Sequence, residues 1–576
     1  MTLGLAQKDF ETARAQLDRS ARNKSGKASK LTQKALKAQR QERWADAVNL
    51  LLEVSELQPA NNQIWVVVAF CLSQLGQRAK AIETLEHILA RSEPTEQLVN
   101  VMGHMAADME MFDVSEKLWH HAIAFNPKEA EYHAHLAAAM MHQERYDDAI
   151  AYLQKVLPIF PENVALWNVA GLCARAQRKQ PQARQFFQEA LKINPNDYRA
   201  LNNYSMIAPW KERPDLLRRG IALRPTEPEL HVGLAFELFM RGELAQAYPE
   251  YEWRLDKNRE SAQVVQYAVD APRWRGEDLT GKTVLVMNEQ GLGDEILFSF
   301  LFDRLKPLAG EVLLTCDSRL TDAYERNFEC PAYASQDFRK DGYRFRHYPG
   351  LDREIRAGER GKPDYCIPAG SLMQHFWHEI ADMAPVRKPV LGPDPERAAF
   401  WRDRLSGLTG KLRIGLAWTS QRQKGMRRHR YLSLEDYAPL FEVPGLEFVS
   451  LQYTDCEEEI RDAEARFGVT IHRWDDVDLK KDIEANLAIM SNLDLFVGPS
   501  VAPSWMALAV GLPTYVLVQR HYAFWWHFGQ DTDCIAFDPD HSRMIESQRG
   551  KDLNFKKYGP LHALEALKKD FADRLA

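Results

Sequence analysis

Thr283–Glu295 reads TVLVMNEQGLGDE and decides the fold of the C-terminal half. A short apolar run comes first, a glycine-containing turn follows, and Ile296–Leu301 continues with helical character. Strand, turn and helix in this order form a βα unit whose free backbone N–H groups point toward anything bound above the turn. Gly291 and Gly293 allow a tight backbone and close approach of a ligand. Asp294 is placed to act as a base on a bound substrate, or else it is a first-turn acid favoured by the helix dipole.

The same alternation continues to the C-terminus. Short apolar runs predict strands at Glu311–Leu314, Arg413–Trp418, Leu446–Leu451, Leu493–Val497 and Pro513–Val518. Helical stretches lie between them at Ser433–Phe441, Cys456–Phe467, Asp482–Ser491 and Ser504–Val510. This pattern predicts parallel sheets covered by helices, and the proline-rich stretch Ala384–Pro395 predicts a connection between two α/β domains. Facing α/β domains form a cleft at the carboxyl ends of their strands, where ligands generally bind.

The N-terminal half carries an internal repeat of helical character. Pro127, Pro161 and Pro195 are 34 residues apart, and Pro59 and Pro94 continue the series within one residue. A small residue stands twelve positions before most of these prolines (Ala47, Ser115, Ala149, Ala183), and a large apolar one stands eight before (Leu51, Trp119, Leu153, Phe187). Small residues at a fixed phase let two helices approach closely, and the proline ends the second helix.

This pattern resembles the tetratricopeptide repeat over roughly Leu31–Pro195, with weaker units around Tyr204–Pro225 and through Leu234–Tyr251. Such repeats stack into a superhelix whose groove holds peptides or proteins, so the resemblance implies a protein partner. The histidines of the repeats (His104, His120, His121, His133 and His135) lack a cysteine or carboxylate set at ligand spacing, and we interpret them as packing or groove residues.

Composition narrows the class of protein. A chain of 576 residues suggests about three or four domains, and a net charge of −7 argues against general nucleic-acid binding. We interpret the lysine- and arginine-rich first forty residues as a solvated helix. Seven scattered cysteines without a C-x-x-C pair favour a reducing cytoplasm and predict neither disulfides nor a metal site. Neither a signal peptide nor a membrane-spanning run is expected.

Taken together, the C-terminal motifs resemble those of a known family. They are Trp274-x-Gly276, Leu279-x-Gly281, Glu289–Asp294, Arg413–Trp418, Leu432–Leu434, Phe448–Gln452 and Asn492–Leu495. Their order and spacing are similar to bacterial tetratricopeptide proteins with a glycosyltransferase domain related to the ADP-heptose lipopolysaccharide heptosyltransferases. The resemblance implies a GT-B architecture of two Rossmann-like domains, a nucleotide-sugar donor as co-substrate, no other cofactor and no bound metal.

The resemblance also implies roles for individual residues. Asp294 matches the proposed general base, while Glu289 and Gln290 orient substrate or close the turn. A second set follows the strand Arg413–Trp418, where hydroxyl and basic groups suit a diphosphate, although a solvated basic loop is the alternative. Its candidates are Thr419, Ser420 and Lys424, then Arg427, Arg428 and Arg430, together with Gln452.

A third set lies in Gly498–Trp505, which opens a helix whose free N–H groups could bind a phosphate. Its donor-binding candidates are Ser500, Ala502 and Ser504. Relatives commonly have Asp-Thr and then His in this turn, whereas this chain has Ser500-Val501 and Trp505. The departure points to a sugar nucleotide other than ADP-heptose, or to a degenerate site.

Two further stretches have competing interpretations. Trp525, Trp526 and His527 could stack on a base or sugar, or pack between domains. Asp475, Asp476 and Asp478 could suggest a metal motif, but we interpret them as helix-capping acids in a loop.

The predicted fold class is an all-α tetratricopeptide solenoid followed by two Rossmann-like α/β domains. The predicted order is a basic tail (1–30), repeats (31–254), a linker (255–282), an acceptor-side domain (283–388) and a donor domain (389–576). The predicted function is a cytoplasmic glycosyltransferase that acts on Ser or Thr of a protein, with flagellin as one candidate. The alternatives are a non-catalytic interaction scaffold and a transferase acting on lipopolysaccharide or another glycan.

Overall fold

The computed structural model describes residues 14–21, 26–41, 43–59, 61–75, 77, 80–81, 83–84, 95–257, 259, 264–340, 343–384, 388–421, 430–519, 533–546 and 555–575. The chain divides into two compact units. The first comprises Met1–Glu227 with Phe338–Phe345, and the second comprises Pro228–Asp337 with Arg346–Ala576.

The first unit is built from helices that follow one another in pairs. A helix at 14–21 is followed by α1 (Lys27–Arg40), α2 (Trp44–Leu57), α3 (Asn62–Gln74), α4 (Glu96–Asp108), α5 (Phe112–Phe125), α6 (Ala130–His142), α7 (Tyr146–Val156), α8 (Val164–Ala176), α9 (Gln180–Ile193), α10 (Tyr198–Ser205) and α11 (Arg213–Leu223).

The small and large residues of the repeat pattern form the contact between paired helices. Ala149, Ala183, Trp119 and Phe187 are all at most 1% exposed. A β-carbon added at Gly171 of α8 would overlap the Phe187 ring of α9. Close packing of this kind explains the fixed spacing of small residues, and it confirms the predicted helical repeat.

The turns within three successive pairs share one backbone conformation. Glu110, Glu144 and Arg178 follow α4, α6 and α8 at 34-residue spacing, and each has a φ of 60°. Gly242, which belongs to the second compact unit, occupies the corresponding left-handed region with a φ of 71°. The repeat is therefore visible in the backbone as well as in the side chains.

The second unit begins with one more helical pair and continues as an α/β structure. Its helices are α12 (Pro228–Phe239), α13 (Leu244–Tyr251), α14 (Leu292–Ser299), α15 (Phe302–Leu305), α16 (Thr321–Phe328), α17 (Pro349–Ala357), α18 (Met373–Phe376), α19 (Pro395–Leu405), α20 (Ala438–Phe441), α21 (Glu457–Phe467), α22 (Ile483–Met490), α23 (Ala502–Val510), α24 (Phe555–Asp570) and α25 (Ala572–Leu575). The strands, two of which extend into Phe338–Phe345, are β1 (Gln266–Tyr267), β2 (Thr283–Met287), β3 (Glu311–Cys316), β4 (Ala332–Ala334), β5 (Gln336–Lys340), β6 (Tyr343–His347), β7 (Tyr365–Pro368), β8 (Leu412–Leu416), β9 (Leu446–Ser450), β10 (Ile471–His472), β11 (Leu495–Pro499), β12 (Thr514–Val518), β13 (Cys534–Ile535) and β14 (Asp538–Glu546).

Two of the sheets are mainly parallel. The four-stranded sheet has the order β4-β3-β2-β7, and all its pairs are parallel. The seven-stranded sheet has the order β10-β9-β8-β11-β12-β14-β13, in which only β13 pairs antiparallel. The predicted parallel α/β organisation of the C-terminal half is confirmed.

Among the parallel strands, the order reverses once in each of these sheets. In the four-stranded sheet the reversal falls between β2 and β7, and in the seven-stranded sheet between β8 and β11. Loops that leave two such strands diverge to opposite faces and open a crevice at the carboxyl edge, where ligands of open α/β sheets bind. The turns after β2, β8 and β11 are those singled out in the sequence.

None of the helices in the described ranges combines the length and apolar content needed to cross a bilayer. All seven cysteines are free thiols. Within the same described ranges, His, Cys, Asp and Glu side chains form no group of three or more that could hold a metal ion.

Candidate functional site

The turn after β2 leads into α14 through one residue in a left-handed conformation and the N-cap of the helix. Gln290 adopts a left-handed φ of 63°, which is uncommon for a residue with a side chain. Gly291 is the N-cap, and its N–H donates to Asp294 Oδ2 at 3.2 Å. Gly291, Gly293 and Asp294 are all partly exposed. Asp294 therefore fulfils the capping role and also remains at the surface of the turn.

Glu289 lies beneath this turn and is only 3% exposed. The Arg254 guanidinium donates to both of its carboxylate oxygens, from Nε and from Nη2, at 2.7 Å each. The Gly370 N–H donates to Oε1 at 2.7 Å. Glu289 is thus held in the crevice between β2 and β7 and closes the turn from below.

A polar cluster at the edge of the four-stranded sheet was not predicted from the sequence. Glu295 accepts hydrogen bonds from Asn288 Nδ2 and from the Asp317 N–H, both at 2.8 Å. Burial raises the pKa of Glu295 to about 7. Arg346 donates to the Asn288 carbonyl at 3.0 Å and pairs with Asp337 at 2.8 Å. The cluster could have been found in the sequence from the polar residues that directly follow two consecutive strands. These are Asn288 after β2 and Asp317 after β3.

The loop after β8 begins with Thr419 and Ser420, which are both partly exposed. Tyr453 donates its hydroxyl hydrogen to Ser420 Oγ at 2.9 Å. Arg430 is also partly exposed. The predicted donor-binding residues Lys424, Arg427 and Arg428 lie outside the described residues.

Gln452 supports this loop from inside the protein. It is 5% exposed, and its Oε1 accepts from the N–H groups of Trp418 and Thr419 at 3.0 and 3.1 Å. Its Nε2 donates to the Thr419 carbonyl at 3.1 Å and to Thr454 Oγ1 at 2.9 Å. Because the amide is fully used in these bonds, Gln452 fixes the start of the loop.

The turn after β11 presents Ser500 to solvent, while Ser504 points inward. Ser500 is exposed, and Val501 is the extended N-cap residue of α23. Ala502 is the first residue of this helix and is partly exposed. Ser504 is fully buried and donates to the Pro499 carbonyl at 2.6 Å, so its hydroxyl stabilises the turn from the core side.

The first turns of α14 and α23 pack against each other. A β-carbon added at Gly293 would lie 3.0 Å from Trp505 Cδ1 and 3.5 Å from the Ala502 Cα. Trp505 is 4% exposed, and its ring lies 5.6 Å from that of Phe537. At this point, therefore, the expected cleft is closed by helix contact, and the exposed Ser500 lies at its margin.

Two arginines connect the sheets away from this contact. Arg319 donates to the Lys480 carbonyl at 2.7 Å, and Arg326 pairs with Glu484 at 2.7 Å. These bonds hold the helices and loops of the two sheets in a defined arrangement.

The remaining acidic and aromatic candidates have simpler explanations. Asp476 pairs with Arg404 through two hydrogen bonds at 2.7 and 2.8 Å, and Asp478 Oδ1 accepts from the N–H groups of Lys480 and Lys481. These contacts agree with the interpretation as loop acids, but neither residue caps a helix, because the N-cap of α22 is Asp482. Trp525, Trp526 and His527 lie outside the described residues.

Comparison with known proteins supports the helical repeat, and one of the matches covers most of the chain. Residues 128–196 match the tetratricopeptide repeat family. Protein FlbA of Caulobacter vibrioides is 28% identical over 495 residues, covering 84% of this chain and 82% of that protein. The tetratricopeptide repeat-containing protein trd-1 of Caenorhabditis elegans is 25% identical over 209 residues, covering 35% of this chain and 26% of that protein.

Among solved structures, a tetratricopeptide repeat protein from Parabacteroides merdae is 11% identical, with a TM-score of 0.31, covering 39% of this chain and 91% of that one. The match at residues 128–196 shows that the chain contains tetratricopeptide repeats, and its similarity to Protein FlbA is too extensive to be confined to them.

Proposed function

We propose that this protein is a glycosyltransferase that moves a sugar from a nucleotide-sugar donor to a protein acceptor. The observation that carries the proposal is the close approach of the first turns of α14 and α23, where a β-carbon added at Gly293 would lie 3.5 Å from the Ala502 Cα. Each turn follows a strand at the point where its sheet reverses order. The start of α23 supplies N–H groups and a positive dipole end to an anionic ligand, and the start of α14 carries Asp294 beside it.

In this proposal the two parallel sheets are the Rossmann-like halves of a GT-B enzyme. The donor diphosphate lies against the turn at Ser500 and the loop that starts at Thr419. The basic side chains between Ser420 and Arg430 offset its charge. Gln452 and Ser504 act indirectly, because their hydrogen bonds shape the loop and the turn that meet the ligand.

Asp294 is the proposed base. As the acceptor oxygen forms its bond to the sugar C1, the bond between C1 and the diphosphate oxygen breaks, and the acceptor proton passes to the Asp294 carboxylate. The electron pair of the broken bond leaves with the diphosphate. No metal is assigned to this step.

The acceptor is a protein because the repeats provide a binding surface for protein segments. A binding module linked to a transferase raises the effective concentration of a weak acceptor. Flagellin, modified on Ser or Thr, is our first candidate acceptor. The free thiols fit a reaction in the cytoplasm.

The second candidate function is a non-catalytic interaction scaffold. The observation that favours it is the Trp505 side chain, which fills the space beside Gly293. In this case the repeats carry the function and the α/β part is structural.

The deciding experiment incubates the full chain with labelled nucleotide sugars, using flagellin and purified lipopolysaccharide as acceptors. We expect transfer to protein, with turnover lost in Asp294→Asn and kept in Asp322→Asn. Asp322 is a matched control because it is also a first-turn acid of a helix that follows a strand of the same sheet. Absence of both binding and turnover across the donors would favour the scaffold, and transfer to the glycan alone would identify a glycan transferase.

A further inference from the structure

Arg254 occupies the position where an open α/β sheet usually receives a ligand. It belongs to the short helical turn Glu252–Leu255 that follows α13, and it is 4% exposed. Its guanidinium sits at the crevice between β2 and β7, bonded to Glu289 after β2 and to Ser371 after β7. The turn that follows the last helical pair thus fills the switch point of the four-stranded sheet with one of its side chains.

The polar contacts of this buried pair are extensive. Glu289 accepts two bonds from Arg254 and one from the Gly370 N–H, while Arg254 Nη2 also donates to Ser371 Oγ at 2.8 Å. Space is tight, because a β-carbon at Gly370 would lie 2.8 Å from Glu289 Oε1. Buried ion pairs of this kind often stabilise a fold no better than apolar residues of the same volume would. Stability alone therefore gives a weak reason for placing two charges here.

A second layer of charge holds the guanidinium in place. Glu252 Oε1 accepts from Arg254 Nη1 and from Ser371 Oγ, both at 2.8 Å. Arg273 pairs with Glu252 and donates to Ser371 Oγ at 2.7 Å. Burial disfavours the charged guanidinium, but Glu289 and Glu252 outweigh it and raise the pKa of Arg254. The side chain therefore stays charged and fixed.

The same helical segment also holds the next residue of the turn. Gln290 Nε2 donates to the Tyr251 hydroxyl at 2.6 Å, and the Arg254 guanidinium lies 4.2 Å from the centre of the Tyr251 ring. Gln290 is the residue in the left-handed conformation, so it depends on its surroundings to keep that geometry. Two consecutive residues, Glu289 and Gln290, are thereby attached to one helical segment just before the N-cap Gly291.

We propose that Arg254 is a positioning residue for the transferase site: through Glu289 it sets the backbone of the turn that carries Asp294. This inference rests on the proposed function, in which Asp294 must meet the acceptor hydroxyl. It makes the final helical pair, α12 and α13, part of the catalytic body as well as the end of the helical series. Arg254 itself touches no substrate in this scheme.

The test uses the full-length chain and three variants. Arg254→Met removes the guanidinium and leaves Glu289 buried without its cation. Arg254→Met combined with Glu289→Met replaces both charges by apolar side chains and restores packing without the tether. Arg241→Met is the matched control, because Arg241 belongs to the same helical pair and forms an ion pair with Glu237 at 3.2 Å.

Three quantities are measured for each variant: the melting temperature, amide hydrogen exchange of residues 288–295, and kcat and KM for the donor. We expect Arg254→Met to lower the melting temperature, to speed exchange across 288–295 and to lower kcat by about 100-fold with little change in KM. In the double variant the melting temperature recovers, while exchange stays fast and kcat stays low. Arg241→Met leaves exchange and kcat as in the wild type.

Recovery of protected amides and of kcat in the double variant would overturn the inference, because packing alone would then suffice. Unchanged exchange in Arg254→Met would overturn it as well. A wild-type chain that turns over no donor refutes the proposed function instead, and the exchange data still decide whether Arg254 fixes the turn.

Discussion

Gly293 and Trp505 touch across the two parallel sheets, and the approach is so close that a single methyl group on Gly293 would strain it. Gly293 belongs to the first turn of α14 and Trp505 to the first turn of α23. This contact sets the distance between the two crevices, so substitutions at these two residues test the site directly.

Gly293→Ala is expected to destabilise the protein by about 1 kcal/mol, because the added β-carbon meets the indole. In a Trp505→His background the same change should be neutral or slightly stabilising, since alanine is the better helix former. Denaturant unfolding of the four proteins gives the coupling free energy. Equal costs in both backgrounds would show that the indole does not limit the turn.

Glu295 gives the second unit a dependence on pH. Its pKa of about 7 lies above the ordinary 4.5, so between these values the folded protein binds more protons than the unfolded chain. The free energy of unfolding therefore falls as pH rises through this window, by about 3 kcal/mol in total. Glu295→Gln should flatten that dependence between pH 5 and 8, as measured by urea unfolding. An unchanged slope would mean that Glu295 ionises normally in the folded state.

His104 has the opposite effect on the helical array. Burial lowers its pKa from 6.5 to about 4, so the unfolded chain takes up a proton that the folded state refuses. Stability is complete above pH 6.5 and is lost as pH falls, by about 2 kcal/mol between pH 7 and 5. His104→Gln should reduce this loss, while His121→Gln, at an exposed position, should not. The comparison requires unfolding curves at both pH values, and equal slopes for the two variants would contradict it.

Gly171 tests the packing rule of the repeat. Its replacement by alanine would drive a methyl group into the Phe187 ring, at an expected cost of about 2 kcal/mol. Phe187→Leu should relieve part of that cost, so the double variant should be more stable than the sum of the single changes predicts. Gly361→Ala, where nothing lies within 4 Å, serves as the neutral control in the same thermal measurements. Simple additivity would rule out the steric explanation.

The repeat and the α/β organisation were predictable because both follow from local periodicity. Fixed spacing of Ala149, Ala183 and their large partners determines which helix faces meet, and all of them are buried as the pattern requires. The strand, turn and helix at Thr283–Ser299 likewise depend on neighbours in sequence. Such local signals can be read from a single sequence.

The details of the candidate site were harder to predict from the sequence. Arg254 and Glu289 are 35 residues apart and belong to different kinds of structure, so no periodic pattern links them. Gln452 and Ser504 were predicted as donor-binding residues from their residue types and motif positions, yet both side chains point inward to main-chain atoms. The direction of a polar side chain in a turn is set by packing around it, which sequence alone does not specify.

The left-handed residues between paired helices have a practical implication. Glu110, Glu144 and Arg178 hold a conformation that costs a side-chain-bearing residue about 1 kcal/mol, whereas Gly242 adopts it freely. Three glycine or asparagine substitutions should thus raise the heat resistance of the array without touching any helix.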